Sequence, residues 1–558
     1  MGRWLSARQG DNAARACDRG GRESAHRSAV TLGAAVSSHH REDTGPAASG
    51  RALAPHAAPE PAPPLPPLPD FAWRPVAAVA VVFAAVQAGY SGRYGFHRDE
   101  LYFLAAGDHP AWGYVDQPPL TPLLARGSTE LFGDSPTGLR VVALLAAVAA
   151  VFLVASMARE FGGDTRVQVL AAACAAVSGY VLASGHMVAT STFDLLMWLG
   201  IAWLALRLLR TGDGRWWPAM GVAVGVALFN KHLVALLVVA LLAAVLALGP
   251  RGVLRGRWFA GAVLITAVLA VPNLLWQIDH DWPQWTVAKG IAEDDGTANR
   301  TMFVPLQLVL LSPLFVPIWI AGLVRMLRDA ALRWSRPVAM AYPLVCAAVL
   351  AIGGKAYYAL PLQLVLVAAG CAPTLRWAGH LWRTARAKLV IAAVLVSAAF
   401  NAVITLPVLP ADALDFPNAV NKEQGEQVGW PELADTVAAV WHQIPADQQP
   451  RAVVFAGNYG EAGALAQFGP ERGLPEPYSG HMSFADWGPP PDTANGPVLV
   501  VHVEGATGQE RFFAGCRTVA RVDNGKDVDN EEQDAEVLLC TGTTGPWSQL
   551  WPQLRRYY

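Results

Sequence analysis

Charge is what this sequence has least of. Asp, Glu, Lys and Arg make up only 15% of its 558 residues, against roughly 25% in soluble domains, which argues against a soluble protein. Apolar residues take the place of charge: they amount to 53% and gather into runs about as long as a bilayer-spanning helix, roughly 17 to 25 residues. The net charge of −2 says nothing about partners, because the sum hides a segregation of sign along the chain. A lipid bilayer is expected as partner and nucleic acid is not. Cysteine is also sparse, with six in all. Cys17, Cys174, Cys346 and Cys371 are scattered, and only Cys516 and Cys540 share one segment. Residues 1–73 lack the continuous apolar core of a cleavable signal peptide; rich in Arg and Pro and without helical or strand period, they read as a disordered cytoplasmic leader.

The apolar runs give eleven candidate spans: 76–90, 138–157, 168–183, 192–208, 217–229, 233–248, 258–276, 304–323, 338–352, 357–371 and 389–406. The connectors "MAREFGGDTR", "RLLRTGDGR", "GPRGVLRGR", "RMLRDAALRWSR" and "RWAGHLWRTARAK" are basic and alternate with segments poorer in Lys and Arg. By the positive-inside rule the basic ones face the cytoplasm. The expected protein is therefore an integral, multi-pass protein of the cytoplasmic (plasma) membrane, mainly α-helical, with its N-terminus inside. Residues 74–409 form the transmembrane domain, 91–137 its first outer loop, and 410–558 a small extracytoplasmic α/β domain. That last segment regains acidic and polar residues and carries short apolar runs, "RAVVFAG", "PVLVVHV", "RTVARV" and "EVLLCTG", with helices expected near 431–443 and 460–467. Cys516 and Cys540 lie within it, and an oxidising compartment would let them pair; two buried free thiols are the alternative.

The first outer loop, "YGFHRDELYFLAAGDHPAWGYVDQPPL", places ionisable groups among aromatics between two apolar runs. A lone loop carboxylate is usually just solvated. Here Asp99 and Glu100 are hemmed by Tyr94, Phe96, Tyr102 and Phe103, and "RDELYFLAAG" has the character of a helix lying at the membrane interface. A partly buried Asp beside aromatic walls can serve as a base. Asp116 precedes a stiff Pro-Pro pair, which could also be a plain turn. Asp194 lies about one turn into a span, where an ionisable group is expensive; it marks function, or it starts a helix and is satisfied by backbone donors. Lys231 in "FNKHL" and Lys355 in "GGKAYYALPL" are either snorkelling anchors or the cationic side of an anion site, since the positive-inside bias makes outer-edge lysines unexpected.

In order along the chain, "HRDELYF", "DQPPL", "FDLLMW", "LFNKHLVAL", "PNLLWQIDHDWP" and "GKAYYALPL" resemble the polytopic glycosyltransferases that take a sugar from a polyprenyl-phosphate carrier, among them protein O-mannosyltransferases and bacterial aminoarabinose transferases. The resemblance covers residues 90–409. It implies the membrane-embedded C-type glycosyltransferase fold, with an extracytoplasmic active site and a catalytic carboxylate in the first outer loop. Carried over, Asp99 looks like the base and Glu100 its supporting neighbour. Asp116, Asp194 and His97 look like the acceptor or sugar side; Lys231, Lys355, Tyr357, Tyr358 and Arg98 look like the carrier-phosphate side. Gln117 departs from the aminoarabinose transferases, which have Lys there.

The expected reaction is an inverting transfer from the lipid-linked sugar to an acceptor hydroxyl, on a protein, a lipid or a cell-wall glycan, without a cofactor. Metal ligation by Asp279, His280 and Asp281, or by Glu293, Asp294 and Asp295, is conceivable, but an acidic solvated loop is the commoner outcome and no metal is expected. A transporter or lipid-carrier flippase is the alternative, though the span pattern shows no internal repeat. In the tail, "GNYGEAG" and "YSGHMSFADWGPPPD" are candidate contact loops or structural turns.

Overall fold

The computed structural model describes residues 67–379, 383–502 and 509–557, so most of the expected leader lies outside the described residues. The described residues from Leu68 onward form one compact unit. Its first sixteen α-helices are α1 Trp73–Tyr90, α2 Arg98–Asp108, α3 Leu120–Phe132, α4 Pro136–Glu160, α5 Thr165–Ala176, α6 Gly179–His186, α7 Thr190–Thr211, α8 Trp217–Leu228, α9 Val234–Leu248, α10 Arg257–Asp279, α11 Pro283–Asp294, α12 Gly296–Val309, α13 Val316–Arg328, α14 Arg336–Ile352, α15 Leu360–Ala378 and α16 Ala385–Thr405.

Among the described residues, seven helical segments are long and apolar enough to cross a membrane, and nine if the bent pairs α5/α6 and α12/α13 each count as one span. The expected eleven is reached only by adding α8 and α9. At 12 and 15 residues these reach about 18 and 22 Å, short of a hydrocarbon core of about 30 Å. Large apolar side chains stay exposed on α1 (Val81, Val82), α10 (Leu264, Val268) and α16 (Leu395, Val396). In water such faces would be a liability; in lipid they are the ordinary outer surface.

The bent pairs show how broken backbone survives inside the bundle. The α5/α6 pair bends by 61° and the α12/α13 pair by 71°, and the two breaks meet. Gly179 N donates to Leu311 O at 2.9 Å and Tyr180 N to Leu310 O at 3.1 Å. Asn401 Nδ2, from α16, donates to Val177 O at 2.8 Å and Leu311 O at 2.9 Å. Each break thus supplies partners for the other, as a non-aqueous setting requires. Elsewhere α13 and α15 cross backbone to backbone: a Cβ on Gly322 would lie 1.8 Å from Leu366 O, and one on Gly370 1.9 Å from Ile318 O. Only glycine fits there.

The remaining elements are α17 Asp415–Val420, α18 Trp430–Trp441, β1 Val453–Ala456, α19 Tyr459–Phe468, β2 Val498–His502, β3 Phe513–Ala514, β4 Arg517–Arg521, β5 Glu536–Cys540, β6 Gly542–Thr543 and α20 Trp547–Leu554. A four-stranded sheet has the order β1-β2-β5-β4, with β1/β2 parallel and the other pairs antiparallel. A disulfide joins Cys516 to Cys540.

One expectation needs correcting. The helix α2 does not lie at a lipid interface: eight of its eleven residues are buried, in an apolar core shared with α18, α19 and the sheet. Its aromatics find protein partners instead of headgroups. A Cβ on Gly463 of α19 would meet the Leu101 backbone carbonyl carbon at 2.9 Å, so the two helices touch along their backbones.

Candidate active site

His97 starts α2. Its Nδ1 accepts from Asp99 N at 3.1 Å while Glu100 Oε2 accepts from His97 N at 2.9 Å, a reciprocal cap. Successive helical residues point about 100° apart at 3.6 residues per turn, so Asp99 and Glu100 cannot share a face. Glu100 turns inward, fully buried. Both of its oxygens take Arg140, at 3.0 and 2.7 Å, and Val188 N donates to it at 2.9 Å. Arg140 also donates to Ser91 O, Gly95 O and Gln427 Oε1. The expected supporting neighbour therefore pins the outer loop to α4, and touches no open space.

Asp99 keeps 30% of its side chain exposed, and its Oδ1 accepts from the Tyr459 hydroxyl at 2.8 Å. Burial pushes this carboxyl up, but positive charge around it, that of Arg98 included, holds it below the usual range. Both His97 and Arg98 sit in a different place than the sequence suggested. His97 Nε2 lies 3.0 Å from Glu423, and Arg98 is ringed by Glu531 at 2.9 Å, Glu426 at 3.5 Å and Glu423 at 3.9 Å. His97 and Arg98, expected on the sugar and phosphate sides, are the joint between α2 and the C-terminal part. Carboxylates already occupy them. Glu426, Glu531 and Glu532 bring one oxygen each within 4.8 Å of one another, with the Arg98 guanidinium beside Glu426 and Glu531, and burial pushes the Glu426 carboxyl up to about 7.

Asp116 Oδ1 accepts from the Tyr102 hydroxyl at 2.7 Å; that hydroxyl lies 2.8 Å from Ser483 Oγ, which in turn accepts from Val115 N at 3.1 Å. Burial pushes Asp116 up to about 6. Next to it, Gln117 is 1% exposed and neither of its side-chain polar atoms has a hydrogen-bond partner among the described residues.

In the bundle, Asp194 Oδ1 accepts from Asn230 Nδ2 at 2.8 Å, and that amide also reaches Thr190 O, while Thr121 donates to Asn230 Oδ1. Lys231 Nζ lies 5.2 Å from the centre of the Tyr358 ring and 3.4 Å from Thr190 Oγ1. It interacts electrostatically with Asp194, Asp116 and Asp99 at once. Tyr357 packs edge-on to Tyr358 at 4.8 Å and near Tyr180 at 6.1 Å. Lys355 is elsewhere engaged, 3.9 Å from Asp295.

Of the residues singled out from sequence, the fold thus brings Asp99, Asp116, Asp194 and Tyr358 within electrostatic reach of Lys231, with Tyr357 packed on Tyr358. Glu100, His97 and Arg98 form the joint behind them. In the loop considered for metal, Asp279 is 86% exposed and His280 stacks on Trp276. Sequence reasoning missed Asn230, although it stands inside "FNKHL", and it missed Ser483, Glu423 and Tyr459 as site neighbours; Tyr102 it named as an aromatic wall but not as the donor to Asp116. Tyr459 belongs to "GNYGEAG" and Ser483 to "YSGHMSFADWGPPPD", so composition had marked the loops without the atoms.

Residues 116–276 match the family model described as dolichyl-phosphate-mannose-protein mannosyltransferase. Over 188 residues the chain is 30% identical to the lipid A galacturonosyltransferase RgtD of Rhizobium johnstonii, a match covering 33% of this chain and 39% of that protein. The chain therefore spans about two fifths of the length of this curated relative. In structure it is similar to ArnT from Cupriavidus metallidurans bound to undecaprenyl phosphate, with a TM-score of 0.53 at 17% identity over 83% of this chain and 97% of ArnT. Apo ArnT from the same organism gives 0.51 at 16% identity, over 83% and 96%. The chain is a multi-pass membrane protein with the C-type glycosyltransferase fold. The profile match runs from Asp116 through Asp194 and Lys231, and so includes three of the gathered residues but stops short of Asp99 on the N-terminal side.

Proposed function

We propose that this protein transfers a sugar from a polyprenyl-phosphate carrier to an acceptor hydroxyl, with inversion, at the extracytoplasmic face of the cytoplasmic membrane. The observation that carries the reading is the seat of Lys231, against Thr190 Oγ1 and the Tyr358 ring and next to the Asn230 that holds Asp194, with Asp116 and Asp99 within electrostatic reach. An anion-binding cation surrounded by carboxylates suits a donor whose phosphate leaves and an acceptor whose proton must go. Support also comes from ArnT, of the same fold, which binds undecaprenyl phosphate, and from RgtD, a sugar transferase acting on lipid A. The basic connectors and the Cys516–Cys540 disulfide favour an outward-facing site with the N-terminus inside.

In this proposal Asp99 takes the proton of the acceptor hydroxyl as its oxygen bonds to the anomeric carbon. The bond from that carbon to the carrier phosphate breaks, and the phosphate leaves with the electron pair. Lys231, backed by the Tyr357 and Tyr358 rings, stabilises the developing phosphate charge. Attack on the face opposite the leaving phosphate inverts the anomeric centre. No metal takes part. Asp116 and Asp194, each held by a fixed donor, orient sugar hydroxyls. The acceptor is a hydroxyl-bearing protein, lipid or cell-wall glycan.

The test is transfer of labelled sugar from a polyprenyl-phosphate donor by the protein in detergent, where a transporter has no sealed compartment to act on. The wild type is expected to turn over. Asp99→Asn is expected to lose about 10²- to 10⁴-fold, the usual contribution of a general base. Unchanged turnover in that variant would remove Asp99 from the mechanism, and absence of transfer by any form with any lipid-linked sugar would remove the enzyme.

A further inference from the structure

The hydroxyl nearest the proposed base comes from the C-terminal part of the chain, 360 residues away in sequence. We propose that Tyr459 is a positioning residue: its hydroxyl holds the Asp99 carboxylate in the orientation from which it takes the acceptor proton. This rests on the assignment of Asp99 above and deepens it, because it makes the C-terminal α/β part a component of the active site.

Several features fix the phenol. Tyr459 is the first residue of α19, whose start is locked by a reciprocal cap: Asn458 Oδ1 accepts from Glu461 N at 2.8 Å and Glu461 Oε2 accepts from Asn458 N at 3.0 Å. Its own N–H donates to His481 Nδ1 at 3.3 Å. The ring lies 5.3 Å from that of Tyr102, the residue that donates to Asp116. Gly460 lets α19 close on α2, since a Cβ there would meet Arg98 Cβ at 3.1 Å. One turn on, Gly463 does the same against Leu101.

The direction of the hydrogen bond is also set. Burial, and then the Asp99 charge, raise the Tyr459 hydroxyl far above its ordinary range, so it stays protonated and donates. It is the only hydrogen bond to the Asp99 carboxylate among the described residues. Other groups face Asp99 without a hydrogen bond to its carboxylate: His97, whose Nδ1 takes the Asp99 N–H, and Arg98 at the start of the same helix, Glu423 from the segment before α18, and Asp116, Lys231 and Tyr357 from the bundle side. None of these contacts changes if only the Tyr459 oxygen is removed.

A donor to a carboxylate favours the charged form. Removing it raises the Asp99 pKa, so activity that needs the carboxylate is lost at a higher pH as the solution is acidified. The experiment is the pH profile of kcat/KM, with the full-length protein and a labelled polyprenyl-phosphate sugar, for wild type, Tyr459→Phe, and a protein carrying 3,5-difluorotyrosine at position 459. Tyr459→Phe is expected to move the acid limb up by about one pH unit, the scale of one charge-assisted hydrogen bond, with kcat falling more than KM changes. The more acidic fluorinated phenol is expected to move the limb the other way. A limb that stays in place in both proteins overturns the proposal, leaving Tyr459 as packing. If thermal unfolding shows that Tyr459→Phe does not fold, the fluorinated protein, whose ring is intact, decides by itself. Asp99→Asn run alongside separates the two readings: retained turnover there sinks the base and this inference together, whereas a dead Asp99→Asn with an unmoved limb sinks only the role of Tyr459.

Discussion

Glu100 is fully buried against Arg140, itself 1% exposed, and this pair is a place where one side chain decides whether the outer loop stays folded. Arg140→Met would strand the Glu100 charge, at a cost of about 3–5 kcal/mol. Adding Glu100→Gln should recover part of that, as thermal unfolding of the two variants in detergent would show. Local chemistry explains what could be read at this scale. An Asp-Glu pair among aromatics signals something other than solvation, and Asp194 inside a span signals the same, whatever the rest of the fold does. The partition between the two acids was not legible, because it depends on Arg140, 40 residues on. Nor were the duties of His97 and Arg98, whose carboxylate partners lie beyond position 420. No short-range pattern carries such a contact.

Individual helices were easier. Hydropathy located the long helices because the bilayer imposes a length, and short apolar runs located the strands because β1 and β2 are buried at every position. What hydropathy could not give is how a span breaks. The bends in α5/α6 and α12/α13 are held by Asn401, whose amide serves both breaks. Asn401→Leu keeps the size and removes both donors; Leu311 O still takes Gly179 N, but Val177 O loses the amide, away from water, at about 1–3 kcal/mol. It should lower the melting temperature of the protein in detergent, and an unchanged value would mean that the breaks are held by their backbone bonds alone. The α13–α15 crossing gives a sharper case: Gly322→Leu cannot fit beneath Leu366 O without separating the helices, so a variant that expresses and melts like the wild type would contradict the packing described. Neither glycine stands out in a hydropathy trace.

Over the whole molecule, the division into a membrane domain and an outer domain is less complete than composition suggests. The helix α2 belongs to the outer loop by sequence but to the C-terminal core by packing, and Tyr459, Ser483, Glu423, Glu426 and Glu531 reach back onto it or its partners. Carboxylates buried at this joint should make stability depend on pH. Burial raises Glu426 to about 7 and Glu461 to about 8, above an unfolded value of about 4.3. Between those limits the folded state holds more protons than the unfolded one, so stability falls as pH rises and levels off near 8. The protein should therefore melt at a higher temperature at pH 6 than at pH 8. Glu461→Gln, which keeps an oxygen for the Asn458 cap, should narrow that difference, and an equal difference in the variant would place its origin elsewhere.

In the proposed arrangement the donor's phosphate meets Lys231 while its anomeric carbon faces residue 99. The most direct test is a cryo-electron microscopy structure of the Asp99→Asn protein with an intact polyprenyl-phosphate sugar bound. The expected map shows the phosphate against the Lys231 ammonium and the sugar lying between Asp194, Asp116 and position 99. A donor whose phosphate lies away from Lys231, or whose sugar cannot reach position 99, would contradict the account.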